Sequence, residues 1–237
     1  MPWSNFIAHR GASAIAPENT MQSLQLAINL GAQSVEFDVQ PSNDGQLVVF
    51  HDETLQRSSD IAKKISNCSV DELLSTEASY NFGAQQPPIY IPSFDEYLAA
   101  IEKSSIQFNC EIKCFYPKHN HCANFIGPFV ERLQALEARC LVTSACKECL
   151  AIARSKLPDM TMGIIVYKIK DDTYKVCDQL NLKTISADAK FINKATIKQA
   201  KKQNVAVMGY TVNNYEQAKK LLALGVSSIF SDVIYKG

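Results

Sequence analysis

Tryptophan occurs once in this 237-residue sequence, glycine and proline nine times each, and neither sign of charge is in excess. Each scarcity excludes something. The 24 basic and 24 acidic residues cancel, so no overall field steers the chain toward nucleic acid or an anionic membrane. No apolar run approaches the roughly 20 residues that a bilayer-spanning helix needs. The opening MPWSNFIAHR lacks the positive start and the apolar stretch of a secretory signal. A cytoplasmic protein without stable membrane association is expected. No Gly-rich dinucleotide loop follows the first strand-like run, and no repeat or low-complexity tract is present.

Cysteine is not scarce. There are eight, several in apolar runs such as Phe108-Asn109-Cys110-Glu111-Ile112, where a free thiol behaves as a small buried hydrophobe. Cys114, His119, His121 and Cys122 are zinc-capable types, but their spacing matches no finger or ribbon. Cys146-Lys147-Glu148-Cys149 is a CxxC with no second CxxC and no thioredoxin context. Both groupings read as accidental spacing rather than as metal or redox sites.

What is present in quantity is alternation of strands and helices. Strand-like runs fall at 6–8, 33–39, 47–50, 106–112, 140–144, 161–166, 183–187, 205–209 and 227–230. Most are β-branched and suited to burial on both faces, as parallel strands are. Helical spacing fills the gaps, with capping-box signals at Asn19 with Gln22, Ser69 with Glu72 and Ser93 with Glu96, and Asn213 with Glu216 opening the last helix. Nine such runs in one chain of this length predict a (β/α)8 barrel with one strand surplus, a doubly wound open sheet being the alternative. The polar stretch from about 53 to 92 reads as a small insertion after the early hairpin. Residues 1–237 would thus form a single barrel domain.

The surplus strand is expected in EFDVQPSNDGQLVVFHD, residues 36–52. Val35, Phe37 and Val39 alternate with Glu36, Asp38 and Gln40, so one face carries two carboxylates. Asp44-Gly45 is a hairpin signal. With those two residues at the centre of the turn, Asp38 pairs with His51, within about 5 Å across the strands. An ordinary hairpin with a charged outer face is the plain alternative.

In a barrel, reactive groups collect where the βα loops meet, at the C-terminal ends of the strands. Those ends carry His9 and Arg10, Glu36 and Asp38, His51 and Asp52, then Glu111 and Lys113. Three carboxylates cannot all stay ionised together unless a cation neutralises them. Hard oxygen donors select Mg²⁺, Ca²⁺ or Mn²⁺ over zinc. Arg10 and Lys113 suit phosphate oxygens. His9 and His51 are suited to proton transfer near neutral pH. Taken singly, each has a bland reading: a satisfied histidine, a solvated Glu-x-Lys pair, a turn aspartate. Together they describe phosphodiester cleavage.

These motifs resemble a known family. His9-Arg10-Gly11, Pro17-Glu18-Asn19-Thr20, the 36–57 segment, Cys110-Glu111-Ile112-Lys113, Gly209-Tyr210-Thr211-Val212-Asn213 and the 225–232 segment ending in Asp232 are similar to the glycerophosphodiester phosphodiesterases. The likeness is dense through residue 52, good near Glu111 and after Val205, and thin over 115–204.

The resemblance implies a TIM-type barrel enzyme of glycerol and lipid metabolism. One divalent cation would be held by Glu36, Asp38 and Glu111. His9 and His51 would be the acid–base pair, Arg10 and Lys113 phosphate ligands, and Asn19 a fixture of the loop over the site. Substrates would be small glycerophosphodiesters such as glycerophosphocholine, yielding sn-glycerol 3-phosphate and an alcohol. Tyr210 stands where the family usually has an aromatic, often tryptophan, and would wall the alcohol side. Ser144-Ala145 stands where Ser-Phe is common. A lysophospholipase D-type or cyclic-phosphate-forming activity would use the same residues, with Tyr80, Phe82, Ile89, Tyr90 and Ile91 as an apolar entry. A barrel that binds phosphate without catalysis is the reading from another class.

Overall fold

A computed structural model describes residues 3–82, 87–116 and 119–235, excluding the side chains of 119–121. The chain opens with β1 (Phe6–His9), α1 (Met21–Asn29), β2 (Ser34–Pro41) and β3 (Leu47–Val49). Two short helices, α2 (Gln56–Ser59) and α3 (Val70–Leu74), precede α4 (Phe94–Glu102). Regular alternation then runs through β4 (Gln107–Ile112), α5 (His119–Leu133), β5 (Cys140–Ser144), α6 (Lys147–Lys156), β6 (Met162–Val166) and α7 (Asp171–Gln179). It ends with β7 (Thr184–Asp188), α8 (Lys194–Lys202), β8 (Ala206–Tyr210), α9 (Tyr215–Leu224) and β9 (Ser228–Ser231).

Eight strands are parallel and close into a barrel in the order β1, β9, β8, β7, β6, β5, β4, β2, with β2 returning to β1. The surplus strand is β3, antiparallel on β2. The open-sheet alternative is excluded by that closure. Outward-facing Val35, Phe37 and Phe108 meet Phe94, Tyr97, Phe125 and Phe129 of the surrounding helices in the main apolar cluster. Phe37 packs 4.6 Å from Tyr97, centroid to centroid. Inside the barrel, Ile7, Leu141, Met208 and Phe230 form a separate apolar plug. The interior is therefore filled, as in other barrels of this size, and polar chemistry is confined to one end.

Local signals placed two helix starts one residue early. Thr20, not Asn19, caps α1 through a box with Ser23, and Asn214, not Asn213, caps α9. In each case the first asparagine is engaged elsewhere by tertiary contacts.

The stretch over 53–92 has more core than its polarity suggests. Leu55, Ile65, Cys68, Leu73 and Ile91 pack with Val48 and Phe50 of the hairpin in a small cluster of their own. Ile91 is thus buried, while Tyr80, Phe82 and Tyr90 are exposed. Gln85 and Gln86 of that stretch and the side chains of His119 and His121 lie outside the described residues.

Candidate active site

Strand register brings the acidic residues together. His9 pairs with Glu36 across β1 and β2, and β2 pairs Glu36 with Asn109 and Asp38 with Glu111 of β4. Residues in register on parallel strands share a face, so the alternation read from β2 becomes a two-layer acidic end of the barrel. Ligand oxygens of Glu36, Asp38 and Glu111 all lie within 4.8 Å of one another.

Arg10 turns the chain sharply at the end of β1. Its φ of 55° aims its own backbone N–H at Glu36 Oε2, 3.0 Å away. Gly11 follows with φ 82°, and a Cβ there would meet Ser23 atoms at 2.5–2.7 Å. Only glycine allows this approach.

Two of the acids keep an unpaired oxygen. Glu36 and Asp38 are 3% and 1% exposed, yet Glu36 Oε1 and Asp38 Oδ1 accept no hydrogen bond among the described residues. Asp38 Oδ2 accepts from Asn19 Nδ2 at 2.8 Å, and Asn19 Oδ1 in turn accepts the Asp38 backbone N–H. That is the task which removes Asn19 from helix capping. Lys113 Nζ donates to Glu111 Oε1 at 2.7 Å and sits 3.6 Å from Asp38 Oδ1.

Burial, with Asp38 and Glu111 adding repulsion, pushes the Glu36 carboxyl well above the usual carboxylate range. Burial also raises Glu111, against the pull of Lys113. Asp38 goes the other way: burial opposes ionisation, but Lys113, Arg10 and the Asn19 amide together hold it low. Buried orphan oxygens and repelling carboxylates are the environment that a hard divalent cation relieves. The residues fit such a group.

The histidines come with partners that were not assigned from sequence. His9 Nδ1 lies 2.7 Å from Asp232 Oδ1. Asp232 is held by Asn213 Nδ2 at 2.6 Å and by Ser13 Oγ at 3.0 Å. His51 Nδ1 lies 2.6 Å from Asp52 Oδ1, and Arg57 Nε donates to the other Asp52 oxygen. Arg57 then forks onto Glu18, which also accepts from Arg10 Nη1 at 2.8 Å. Asp232 titrates at about 2: burial resists ionisation, and the contacts from His9 and Asn213 overcome it. Asp52 is also held low, burial being outweighed by His51 and Arg57. An ionised carboxylate can only accept, so each imidazole carries its proton on Nδ1 and leaves Nε2 for the cavity.

The predicted pairing of Asp38 with His51 is wrong by one residue. Val39 pairs with Val49 and Pro41 with Leu47, so Asp38 faces Phe50, whose N–H it accepts at 3.0 Å. The turn uses three residues, Asn43-Asp44-Gly45, with Gly45 at φ 76°, a tight turn plus bulge rather than a two-residue loop. His51 is placed instead by Gln40, whose Nε2 donates to the carbonyls of Phe50 and Asp52 on either side of it, both at 2.9 Å.

His9, Arg10, Glu36, His51, Glu111, Lys113 and Tyr210 line one cavity of about 320 Å³, with Asn109, Ser186, Ile165 and Phe230 completing its walls. Asp38 lies against Lys113 and Arg10 beneath it. Tyr210 donates its hydroxyl to Val166 O at 2.9 Å, and burial raises that phenol to about 12. These eight residues, all singled out from the sequence, therefore meet at one barrel end. Asp232, Asn213, Gln40, Glu18 and Arg57 were missed as site supports, although all five stood inside the quoted motifs.

Fold and site together define a (β/α)8 barrel enzyme with an acidic, histidine-bearing mouth. The family model for the glycerophosphoryl diester phosphodiesterase family matches residues 9–236. A glycerophosphodiester phosphodiesterase of Bacillus altitudinis is 29% identical over 239 residues, covering 97% of this chain and 94% of the relative. Another, from Caldanaerobacter subterraneus, is 26% identical over 228 residues, covering 95% and 93%. Among solved structures, the chain is similar to an Oleispira antarctica phosphodiesterase in complex with the product sn-glycerol-3-phosphate. That match has a TM-score of 0.89 and 30% identity, covering 97% of this chain and 93% of the other. The chain belongs to the glycerophosphoryl diester phosphodiesterase family and is a phosphoric diester hydrolase.

Proposed function

We propose that the protein hydrolyses small glycerophosphodiesters, glycerophosphocholine and glycerophosphoethanolamine among them, to sn-glycerol 3-phosphate and the free alcohol. The observation that carries this reading is the pair of imidazoles, each anchored through Nδ1 to its own carboxylate, on one cavity with three clustered acids. The product bound to the Oleispira protein supports the substrate class.

In this reading Arg10 and Lys113 grip the phosphate, the first by its planar fork and the second as a point charge. A divalent cation held by Glu36, Asp38 and Glu111 would draw charge from the phosphate and stabilise the more anionic transition state. The hard oxygens favour Mg²⁺, Ca²⁺ or Mn²⁺. One histidine takes the proton of the attacking hydroxyl at Nε2 while the new oxygen–phosphorus bond forms. The other gives a proton to the alcohol oxygen as its bond to phosphorus breaks. The attacking hydroxyl is water, or the neighbouring glycerol hydroxyl followed by hydrolysis of the cyclic phosphate. Tyr210 walls the alcohol side. The whole chain acts as one barrel with 53–92 as an insertion, and its eight free cysteines agree with a reducing cytoplasm.

The test is divalent-dependent release of glycerol 3-phosphate from glycerophosphocholine. Activity is expected to vanish with chelator and in His9→Ala; turnover that survives both overturns the mechanism. Exposed Tyr80, Phe82 and Tyr90 are the one observation favouring a lysophospholipid substrate, and faster turnover of lysophosphatidylcholine would transfer the reading to it. Ligand binding without turnover of any diester would leave a binding barrel.

A further inference from the structure

Four of the eight cysteines meet in space. The sulfurs of Cys114, Cys122, Cys146 and Cys149 all lie within 4.8 Å of one another, with Cys114 and Cys122 at 3.6 Å. The first pair comes from the loop after β4 and the start of α5, the second from the start of α6. Cys146 and Cys149 have the spacing of half a zinc site, but the other half, Cys114 and Cys122, lies beyond an intervening helix and strand. Spacing along the chain alone therefore does not decide whether the four thiols act together.

The spacing is compatible with a tetrahedral cage. Zinc–sulfur bonds of about 2.3 Å place tetrahedral sulfurs roughly 3.8 Å apart, inside the observed spread. Disulfides need about 2.05 Å between sulfurs, and all four thiols are free. Cys122, Cys146 and Cys149 are buried and Cys114 is partly so. The backbone is arranged for the purpose. Cys146 caps α6, its sulfur accepting the Cys149 N–H at 3.5 Å, an arrangement in which helix N–H groups face thiolate charge. Ser144 Oγ accepts the Cys146 N–H at 3.0 Å and donates to Ile112 O at 2.7 Å. The turn that carries Cys146 is thereby locked to the end of the strand leading to Cys114. Cys68, Cys110, Cys140 and Cys177 form no such group among the described residues.

We propose that Cys114, Cys122, Cys146 and Cys149 form a tetrathiolate site for one zinc ion. Soft sulfur donors in a closed tetrahedron select zinc, as the oxygen donors of the barrel mouth select a harder cation. Binding displaces the four thiol protons and involves no electron transfer. The site has no open position, so it is structural, tying the β4–α5 loop and α5 to α6. Cys114 directly follows Lys113, so the ion would brace one wall of the mouth without touching substrate. The proposal is independent of the catalytic reading.

The intact chain, purified under reducing conditions with zinc supplied, should retain one equivalent of zinc after desalting and exchange into excess Mg²⁺. Cobalt in its place should show the sulfur-to-metal charge-transfer bands of a four-thiolate tetrahedral site, a signal that oxygen ligands of the mouth cannot give. Cys146→Ser with Cys149→Ser should lose the zinc, and Cys177→Ser should keep it. Four of the eight thiols should be shielded from a thiol reagent while zinc is bound and become reactive when it is removed. The proposal is overturned if the wild-type chain desalts without zinc, if its cobalt form lacks thiolate bands, or if anaerobically purified protein contains a Cys146–Cys149 or Cys114–Cys122 disulfide. The cobalt spectrum needs no variant, so misfolding of the serine variants would not rescue the idea.

Discussion

Asp232 is the residue on which His9 depends. It orients the ring and dictates which nitrogen carries the proton, and Asn213 and Ser13 hold it in place. Asp232→Asn keeps the shape but offers an amide N–H to Nδ1, favouring the wrong tautomer. Glycerol 3-phosphate release should fall by roughly 10–100-fold, as for other residues that orient a catalytic or ligating histidine, with the circular dichroism spectrum unchanged. The same carboxyl has a signature in acid. Its folded pKa of about 2 lies below an unfolded value of about 3.9. Its stabilisation is thus present above the latter and lost as pH falls toward the former, and acid-unfolding curves of wild type and variant should converge there. Glu36 has the opposite sign. Its raised pKa means the folded chain holds that proton more tightly than the unfolded chain, so stability drops as pH rises above the ordinary carboxylate range. In chelator at neutral pH, Glu36→Gln should therefore melt higher than wild type. In excess divalent cation the order should reverse, because the variant loses a ligand. Melting curves that keep one order in both conditions would refute this account of the acidic cluster.

At the scale of elements, the β2–β3 hairpin does two things. Its β2 limb supplies Glu36 and Asp38, and its β3 limb roofs the small cluster under 53–92 through Val48 and Phe50. The three-residue turn sets that second function directly. If the three-residue turn is kept, deleting Asn43 draws Ser42 into it and slips β3 by one position, turning Val48 and Phe50 away from Leu55, Ile65 and Leu73. Burying a side chain of that size contributes about 1.5–3 kcal/mol. The deletion should thus lower the urea midpoint at least as clearly as it lowers turnover. A loss of activity at unchanged midpoint would show that the turn serves only His51. Gln40, with its two bonds around His51, would carry the hairpin's part in the proposed mechanism.

For the whole molecule, closure of the barrel matters most. The plug of Ile7, Leu141, Met208 and Phe230 lies beneath a polar layer in which Thr143 Oγ1 donates to Asn109 Oδ1 at 2.9 Å. Leu141 is fully buried. Leu141→Ala should cost about 2–5 kcal/mol, measured by urea unfolding, a large share of the roughly 5–15 kcal/mol that holds a typical domain. A cost below about 1 kcal/mol would mean that the interior can collapse around the gap. The outward apolar surface of the strands packs against the barrel's own helices, and among the described residues no helix is long and apolar enough to cross a membrane.

The elements, and the residues that gather at the mouth, are legible along the chain. Strand alternation, helical spacing and turn residues are local, so all nine strands and the surplus position of β3 could be read from it. His9, Arg10, Glu36, Asp38, His51, Glu111 and Lys113 stand at strand ends that any closed barrel gathers at one mouth. Register and partnership were decided only by the tertiary structure. A turn of two residues and one of three read alike until Val48 and Phe50 have a cluster to join. Asp232 is 223 residues from His9, and no periodicity spans that distance. Cys114 and Cys122 acquire Cys146 and Cys149 only because β4 and β5 lie side by side in register. Proximity created by closure leaves no trace in spacing along the chain.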